Sequence, residues 1–570
     1  MTLLQLPPEI LEQILVETVE SCPNAVAAVA ACCRALHELV HSIWRDLYLA
    51  LFDDPRPKNA LKDSRPGSAS PPQIAYDWHN FTSRIAVSNR LAVGDPACNF
   101  EALVDVVATA APVSPLRTLD PVHRRRLVFP PLLRELAPSA NTTWLNKVLA
   151  RGYPAPLTKR MLASFDPEGP EYNRAEFEDT LAGKAFNKLA FLRGFIPLDQ
   201  SSSTVEHQHA AARAVARSRV YNTKYLMPER CWGPFQPLDP NQPHEDIDDP
   251  DYDPDADDSD GDDDGHVDGH HLLHFLSSRG IDFTDDRTHP TYVFPAPHRV
   301  VPDYAFLAAA RYIMEANMRD KFDMESHFSS MGSASRQAAA DVGLELSEVV
   351  DAMQSLELVR MGGAPGFWDV WRPEKPEGDD DDDSPAPVDK GKGKATESDE
   401  VEGWDWAGVE GEWRRVVCWL DYRDLLVHNV DFATAGFGLD EVQETIRIFP
   451  MSLRIARYSP PPRPPPGADP RALIWRLPII HVAGESHGTD TDEVSTRVVE
   501  GTVRMIGDGA VRWSMSLQTS SEAVGSDPEW VTESVQVGDI GSAVGIIGLW
   551  TGAEHSSTDP LGPCWAWKVA

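Results

Sequence analysis

The chain is 570 residues long, 42% hydrophobic and 8% aromatic with 16 Trp, enough apolar material for several domains of about 150 residues each. Its formal net charge is −36, but two runs carry −23 of that: fifteen acidic residues without Lys or Arg from Asp239 to Asp268, and twelve against four Lys from Glu374 to Glu402. The remainder is only mildly acidic, which disfavours direct nucleic-acid binding, because phosphate contacts need clustered Lys and Arg.

Seven cysteines (Cys22, Cys32, Cys33, Cys98, Cys231, Cys418 and Cys564) show neither C-x-x-C spacing nor a pairing rhythm. They read as reduced thiols of a cytoplasmic or nuclear protein. The first residues lack the basic and apolar regions of a signal peptide, and no 18-residue apolar run predicts a membrane span. The Asn80 and Asn141 sequons therefore carry no weight.

The first fifty residues predict three short helices. Pro7-Pro8 suits a first helical turn, where a missing N–H costs nothing, and Ile10, Leu11, Ile14, Leu15 and Val19 follow at helical spacing. Cys22-Pro23-Asn24 stops this helix, with Asn24 placed to cap a second one through Val26, Val29 and Cys33. A third helix carries Leu39, Val40, Ile43, Trp44, Leu47, Tyr48 and Leu51. So small a unit cannot bury all these side chains among themselves, and the surplus predicts a docking surface.

The run Leu6-Pro7-Pro8-Glu9-Ile10-Leu11, then Ile14, a Pro-bearing turn, Val29, Cys32-Cys33-Arg34, Leu36, Leu39 and Ile43-Trp44, resembles the F-box. That resemblance covers residues 3–52 and implies a three-helix module that binds a Skp-type adaptor and, through it, a cullin. It assigns Leu6, Pro7, Ile10, Leu11, Ile14, Leu15 and Trp44 to the adaptor contact or to shaping it. The turn at Cys22-Pro23-Asn24 falls two or three residues later than the family pattern, which implies a longer first helix.

Residues 53–73, rich in Pro, Ser, Lys and Asp, read as a linker. Residues 74–238 and 269–372 favour helices, as in Phe177 to Phe195 and Tyr304 to Phe328. The stretch from Tyr76-Asp77-Trp78 to Arg84 resembles the Trp/Arg segment that follows the F-box in many fungal proteins. The acidic runs 239–268 and 373–402 bury too little apolar surface to offset ordering entropy and are expected to be disordered. From 403 to 570, β-rich runs appear at Trp413–Leu420, Glu444–Tyr458, Leu473–Val482, Val498–Ile506, Val511–Leu517, Trp530–Val537, Val544–Trp550 and Cys564–Val569. About eight such strands predict an antiparallel barrel or sandwich, so the fold class is α+β and multidomain. Gly509-Ala-Val-Arg-Trp513, Gly541 to Thr551 and Gly562 to Lys568 resemble the C-terminal part of the same fungal group. Trp513, Trp550, Trp565 and Trp567 are expected as barrel core and rim rather than as a ligand site.

Gly484-Glu485-Ser486-His487-Gly488 matches G-x-S-x-G. A nucleophile elbow needs a strand, a tight turn and a helix, whereas Thr489-Asp-Thr-Asp-Glu493 and another β-like run follow, so a polar hairpin loop is expected. Asp260, Asp262, Asp264 and Gly265 imitate a calcium loop, but its twelfth position is His271 rather than a bidentate Glu. His266, His270, His271 and His274 read as solvated, Arg124-Arg125-Arg126 as an exposed face, and Lys390 to Lys394 as a poor import signal. No cofactor or metal is expected.

The F-box resemblance implies a non-catalytic substrate receptor of a Skp–cullin–F-box ubiquitin ligase, selecting a protein through its remaining domains. Two alternatives stay open: a barrel that binds a small ligand, with the F-box used outside a ligase, and a serine hydrolase using Ser486.

Overall fold

A computed structural model describes residues 5–55, 76–93, 95, 98–111, 139–150, 152–153, 178, 180–194, 205–227, 233–238, 295–328, 401, 403–430, 444–489, 494–519, 528–538, 540, 542, 544–556 and 558–568. The acidic runs, Arg124 to Arg126, the histidines from His266 to His274 and Lys390 to Lys394 lie outside them, as does the expected linker beyond Pro55.

Four helices, not three, build the N-terminal module: α1 (Pro8–Ser21), α2 (Pro23–Cys32), α3 (Arg34–Ser42) and α4 (Trp44–Leu51). The expected third helix breaks at Ile43, whose backbone (φ −113°, ψ 15°) leaves the helical region. Pro23 itself opens α2, so the N-cap is Cys22 and makes no side-chain cap bond. Asn24 instead exchanges amide hydrogen bonds of 2.6 and 3.0 Å with Asn89.

The middle region supplies α5 (Asn80–Ala92), α6 (Phe100–Ala108), α7 (Ala140–Leu149), α8 (Leu181–Arg193) and α9 (Val205–Val220). Two three-residue strands follow, β1 (Phe235–Pro237) and β2 (Val300–Pro302), and then α10 (Tyr304–Phe328). Antiparallel pairing of β1 with β2, extended by the Leu238 N–H donating to the Arg299 carbonyl at 2.7 Å, joins the two ends of the long acidic insertion. Asp53, expected in a linker, is an anchor. Its carboxylate accepts from the Ala111 N–H and the Ala140 N–H, both at 2.8 Å, and from the Ser139 hydroxyl at the start of α7.

The C-terminal half is a closed barrel of eight antiparallel strands: β3 (Gly411–Leu420), β4 (Glu444–Ser459), β5 (Ile479–Thr489), β6 (Val494–Met505), β7 (Val511–Thr519), β8 (Trp530–Gln536), β9 (Ile546–Gly552) and β10 (Leu561–Lys568). Each strand pairs with its sequence neighbour, and β10 returns to β3 with Trp565 opposite Val416. Closure leaves no sheet edge, which decides between barrel and sandwich. A short helix, α11 (Tyr422–Val430), follows β3. One expected strand shifts: Leu473–Trp475 is a 3-10 turn, and the strand begins at Ile479.

Alternation along the strands divides the barrel residues between two cores. Trp413, Met451, Val482, Val499, Trp513 and Met515 fill the interior. Val416, Cys418, Ile547, Leu549, Trp565 and Trp567 point outward and join a core that continues through the helices as far as Leu15 of α1. Trp565 and Trp567, both fully buried, are thus interface and not rim; each such side chain contributes about 2–3 kcal/mol by leaving water. α10 crosses the outside of β9, β10, β3 and β4. Its Arg311 lies 5.6 Å from the Trp565 ring centroid and donates to Glu315 at 2.8 Å and to the Phe191 carbonyl at 2.6 Å.

Candidate functional site

On α1, helical spacing sends Leu11 and Leu15 (7% and 6% exposed) into the core and leaves Ile10 and Ile14 (45% and 40%) open. Residues four apart stand on one face, so Ile10 and Ile14 form an apolar stripe, with Pro7 exposed and Leu6 half-buried at its start. Leu11 and Leu15 therefore shape this surface from below and do not belong to it. Helix α2 contains no charged residue, and its Ala27, Ala28, Ala31 and Cys32 are exposed. Trp44 is half-buried and leans on His41, His79 and Phe81 (5.7, 5.3 and 5.8 Å between ring centres) while its Nε1 donates to His41 Nδ1 at 3.2 Å. It belongs to the seam between α4 and α5 rather than to the open stripe.

That seam is held by Arg84, which is fully buried. Its Nη2 donates to Asp105 Oδ2 at 2.6 Å and to Thr109 Oγ1 at 2.7 Å, and its guanidinium lies 4.9 and 4.6 Å from the Tyr48 and Phe52 ring centres. Burial holds the Tyr48 hydroxyl well above the ordinary phenol value. The open stripe is thus presented on a base fixed to the next domain.

The barrel interior has two unlike ends. Where β8 meets the β8–β9 connection, the polar groups are satisfied: Gln536 accepts from Trp513 Nε1 at 3.2 Å and donates to the carbonyls of Ala407 and Ser542 at 3.3 and 3.2 Å. Toward the other end the inward-facing residues are Arg415, Val417 and Trp419 of β3, Arg447 and Phe449 of β4, Ser486, Arg497, Thr532, Trp530, Trp550 and Cys564. Sequence reasoning missed Arg415 and Arg497. The signal was present in Trp413-x-Arg415-x-Val417-x-Trp419, an arginine on the apolar phase of an alternating strand.

Ser486 is not in a hairpin loop. It sits mid-strand in β5, 4% exposed, with its hydroxyl donating to the Pro450 carbonyl at 3.4 Å, and the strand–turn–helix of a nucleophile elbow is absent there. A crevice of about 110 Å³ separates the helices from the barrel beside Phe191, Val535 and Asp508. Its rim groups bond to one another, with Tyr304 Oη donating to Asp508 at 2.9 Å and Lys188 Nζ 3.4 Å from the same carboxylate. Among the described residues no cluster of His, Cys, Asp or Glu could hold a metal ion, and no helix is long and apolar enough to cross a membrane.

These features define an α+β protein in which a helical half with an open apolar N-terminal stripe is fused to a closed eight-stranded barrel. Neither the known protein families, nor the curated proteins, nor the solved structures contain a match to the chain.

Proposed function

We propose that this protein is a substrate receptor of a Skp–cullin–F-box ubiquitin ligase, with α1 and α2 as its adaptor-binding surface. The observation that supports this reading best is the Ile10/Ile14 stripe. Two large aliphatic side chains four residues apart remain 45% and 40% exposed on a module whose other large apolar residues, Leu6 apart, are buried or packed against the core, and they fall within the motif that resembles the F-box. Exposed apolar patches of this kind mark partner surfaces. The ligase function is tethering: holding a substrate and a ubiquitin-loaded enzyme in one assembly raises their effective concentration, and the receptor performs no covalent step.

The test is co-precipitation of a Skp-type adaptor and cullin with the full chain. Ile10→Asp/Ile14→Asp should reduce recovery at least tenfold while the melting temperature stays within about 2 °C, because both positions are open to solvent. Undiminished recovery would remove the basis for the reading.

A further inference from the structure

Arg415 brings a long cationic side chain into the barrel's polar end. It is 6% exposed. Its Nη2 donates to Thr532 Oγ1 at 2.9 Å, its Nε has no hydrogen-bond partner, and no carboxylate among the described residues pairs with it. Burial pushes the guanidinium below its ordinary value; the Cys564 sulfur opposes this, and the charge of Arg497 adds to it. Arg497 is thus close enough to be felt as a second positive charge. Among the described residues its ion pair is a loose one, Nε to Glu529 at 3.6 Å, and the same Nε makes no hydrogen bond. Trp530 Nε1 is a third buried donor with no acceptor.

Three orphan donors and two like charges in one place are costly. A buried polar group without a partner loses its hydration with no return, and a buried charge loses more. The fold offsets this only with the Thr532 hydroxyl on Arg415 and the long contact of Arg497 to Glu529, although it satisfies every polar group of Gln536 at the opposite end. The described residues of the same end also grow more exposed toward the strand ends. Inward-facing Thr445 and Arg447 are exposed, Trp419, Phe449, Arg497 and Trp530 half-buried, and Ser486, Thr532 and Cys564 buried. Exposure thus falls from the strand ends toward Arg415. Its wall is aromatic: Trp419 and Trp530 stand 6.0 and 5.4 Å from Trp550, and Arg447 lies 5.6 Å from the Trp419 ring centre.

We propose that the barrel binds a small organic oxyanion, a carboxylate or phosphate on an aromatic or apolar body, with its head on Arg415 and Arg497 and its body among Trp419, Phe449, Trp530 and Trp550. A guanidinium fork matches the geometry of either oxyanion. Eight-stranded barrels are wide enough either to be filled by side chains or to hold one small ligand. Docking of the N-terminal helices on an adaptor is independent of this site.

Calorimetric titration of the full chain with benzoate, phenyl phosphate and neutral benzamide tests it. One or both anions should bind and benzamide should not; which anion binds tighter identifies the head group. Arg415→Gln should weaken binding at least tenfold. Arg497→Gln, at the half-buried rim, should also weaken it with an unchanged melting temperature, so the test survives if Arg415→Gln fails to fold. Absence of binding by both anions up to millimolar concentration would overturn the proposal. So would benzamide binding equal to that of the anions, or wild-type affinity in both arginine variants.

Discussion

Arg84 shows how one side chain can join two domains. It is buried, ion-paired with Asp105, bonded to Thr109 and packed against the Tyr48 and Phe52 rings, so Arg84→Ala removes a charge from a site built around it. The expected loss is about 3 kcal/mol, read as a lower urea midpoint. Histidines provide a second test at this scale. Burial holds His428 and His209 below the ordinary 6.5, so the folded chain keeps them neutral while the unfolded chain takes up protons as pH falls through about 6.5. Stability contributed by a neutral buried His is therefore present above that pH and lost below it, by up to about 1.4 kcal/mol per pH unit for each proton. Wild type should lose more stability between pH 7.5 and 5.5 than His428→Gln, compared by urea midpoints at the two pH values.

At the scale of elements, barrel closure depends on inward positions without a Cβ. A Cβ on Gly548 of β9 would stand 1.9 Å from the Glu533 carbonyl oxygen and 2.5 Å from Ser534 Cα, and one on Gly562 of β10 1.9 Å from the Cys418 carbonyl oxygen. These neighbours are largely backbone and cannot swing away. Gly548→Ala should therefore cost about 2–3 kcal/mol and lower the melting temperature of the barrel, whereas Gly509→Ala meets no atom and tests only its φ of +80°. The strands were largely legible in the sequence because their apolar residues alternate between turn residues, as at Val511–Thr519 between Gly507-Asp508-Gly509 and Gly525-Ser526-Asp527-Pro528. β5 was misplaced because Leu473-Ile474-Trp475 are as apolar as a strand, yet a 3-10 turn buries Ile474. In α4 the helical period ran on through Ile43, and nothing in the side-chain pattern marks the backbone break there. Alternation names a face but not what covers it, so Trp565 and Trp567 could not be assigned to the helix interface, nor Arg415 to the lumen, before the barrel was closed.

At the scale of the molecule, the two halves are locked by Glu444, at the first position of β4. Its carboxylate, 1% exposed, takes Arg217 at 2.8 Å and Arg213 at 3.1 Å, both from α9. Removing it takes a buried carboxylate from Arg217, only 9% of whose side chain reaches solvent. Glu444→Ala should cost about 3 kcal/mol and allow helices and barrel to unfold in separate steps, seen as two transitions by calorimetry and faster proteolysis of one half. The N-terminal half of the candidate site was legible as an apolar surplus. Which members of that surplus stay open depended on the tilt of α1 against its neighbours, which separates Ile10 and Ile14 from Leu11 and Leu15.

The small ribbon of β1 and β2 has a topological consequence. Since Leu238 and Arg299 are hydrogen-bonded, the acidic insertion begins and ends at one point, and the fold sees it as a closed side loop rather than as a spacer between domains. The cost of closing a loop grows only with the logarithm of its length, so a tenfold change in length is worth about 2 kcal/mol. Replacing residues 239–294 with a few Gly and Ser should leave the melting temperature unchanged or raise it. By closure entropy alone, a change in the length of this segment acts weakly on the rest of the fold. The run carries much of the chain's negative charge, and both its ends are tied to one hydrogen-bonded ribbon.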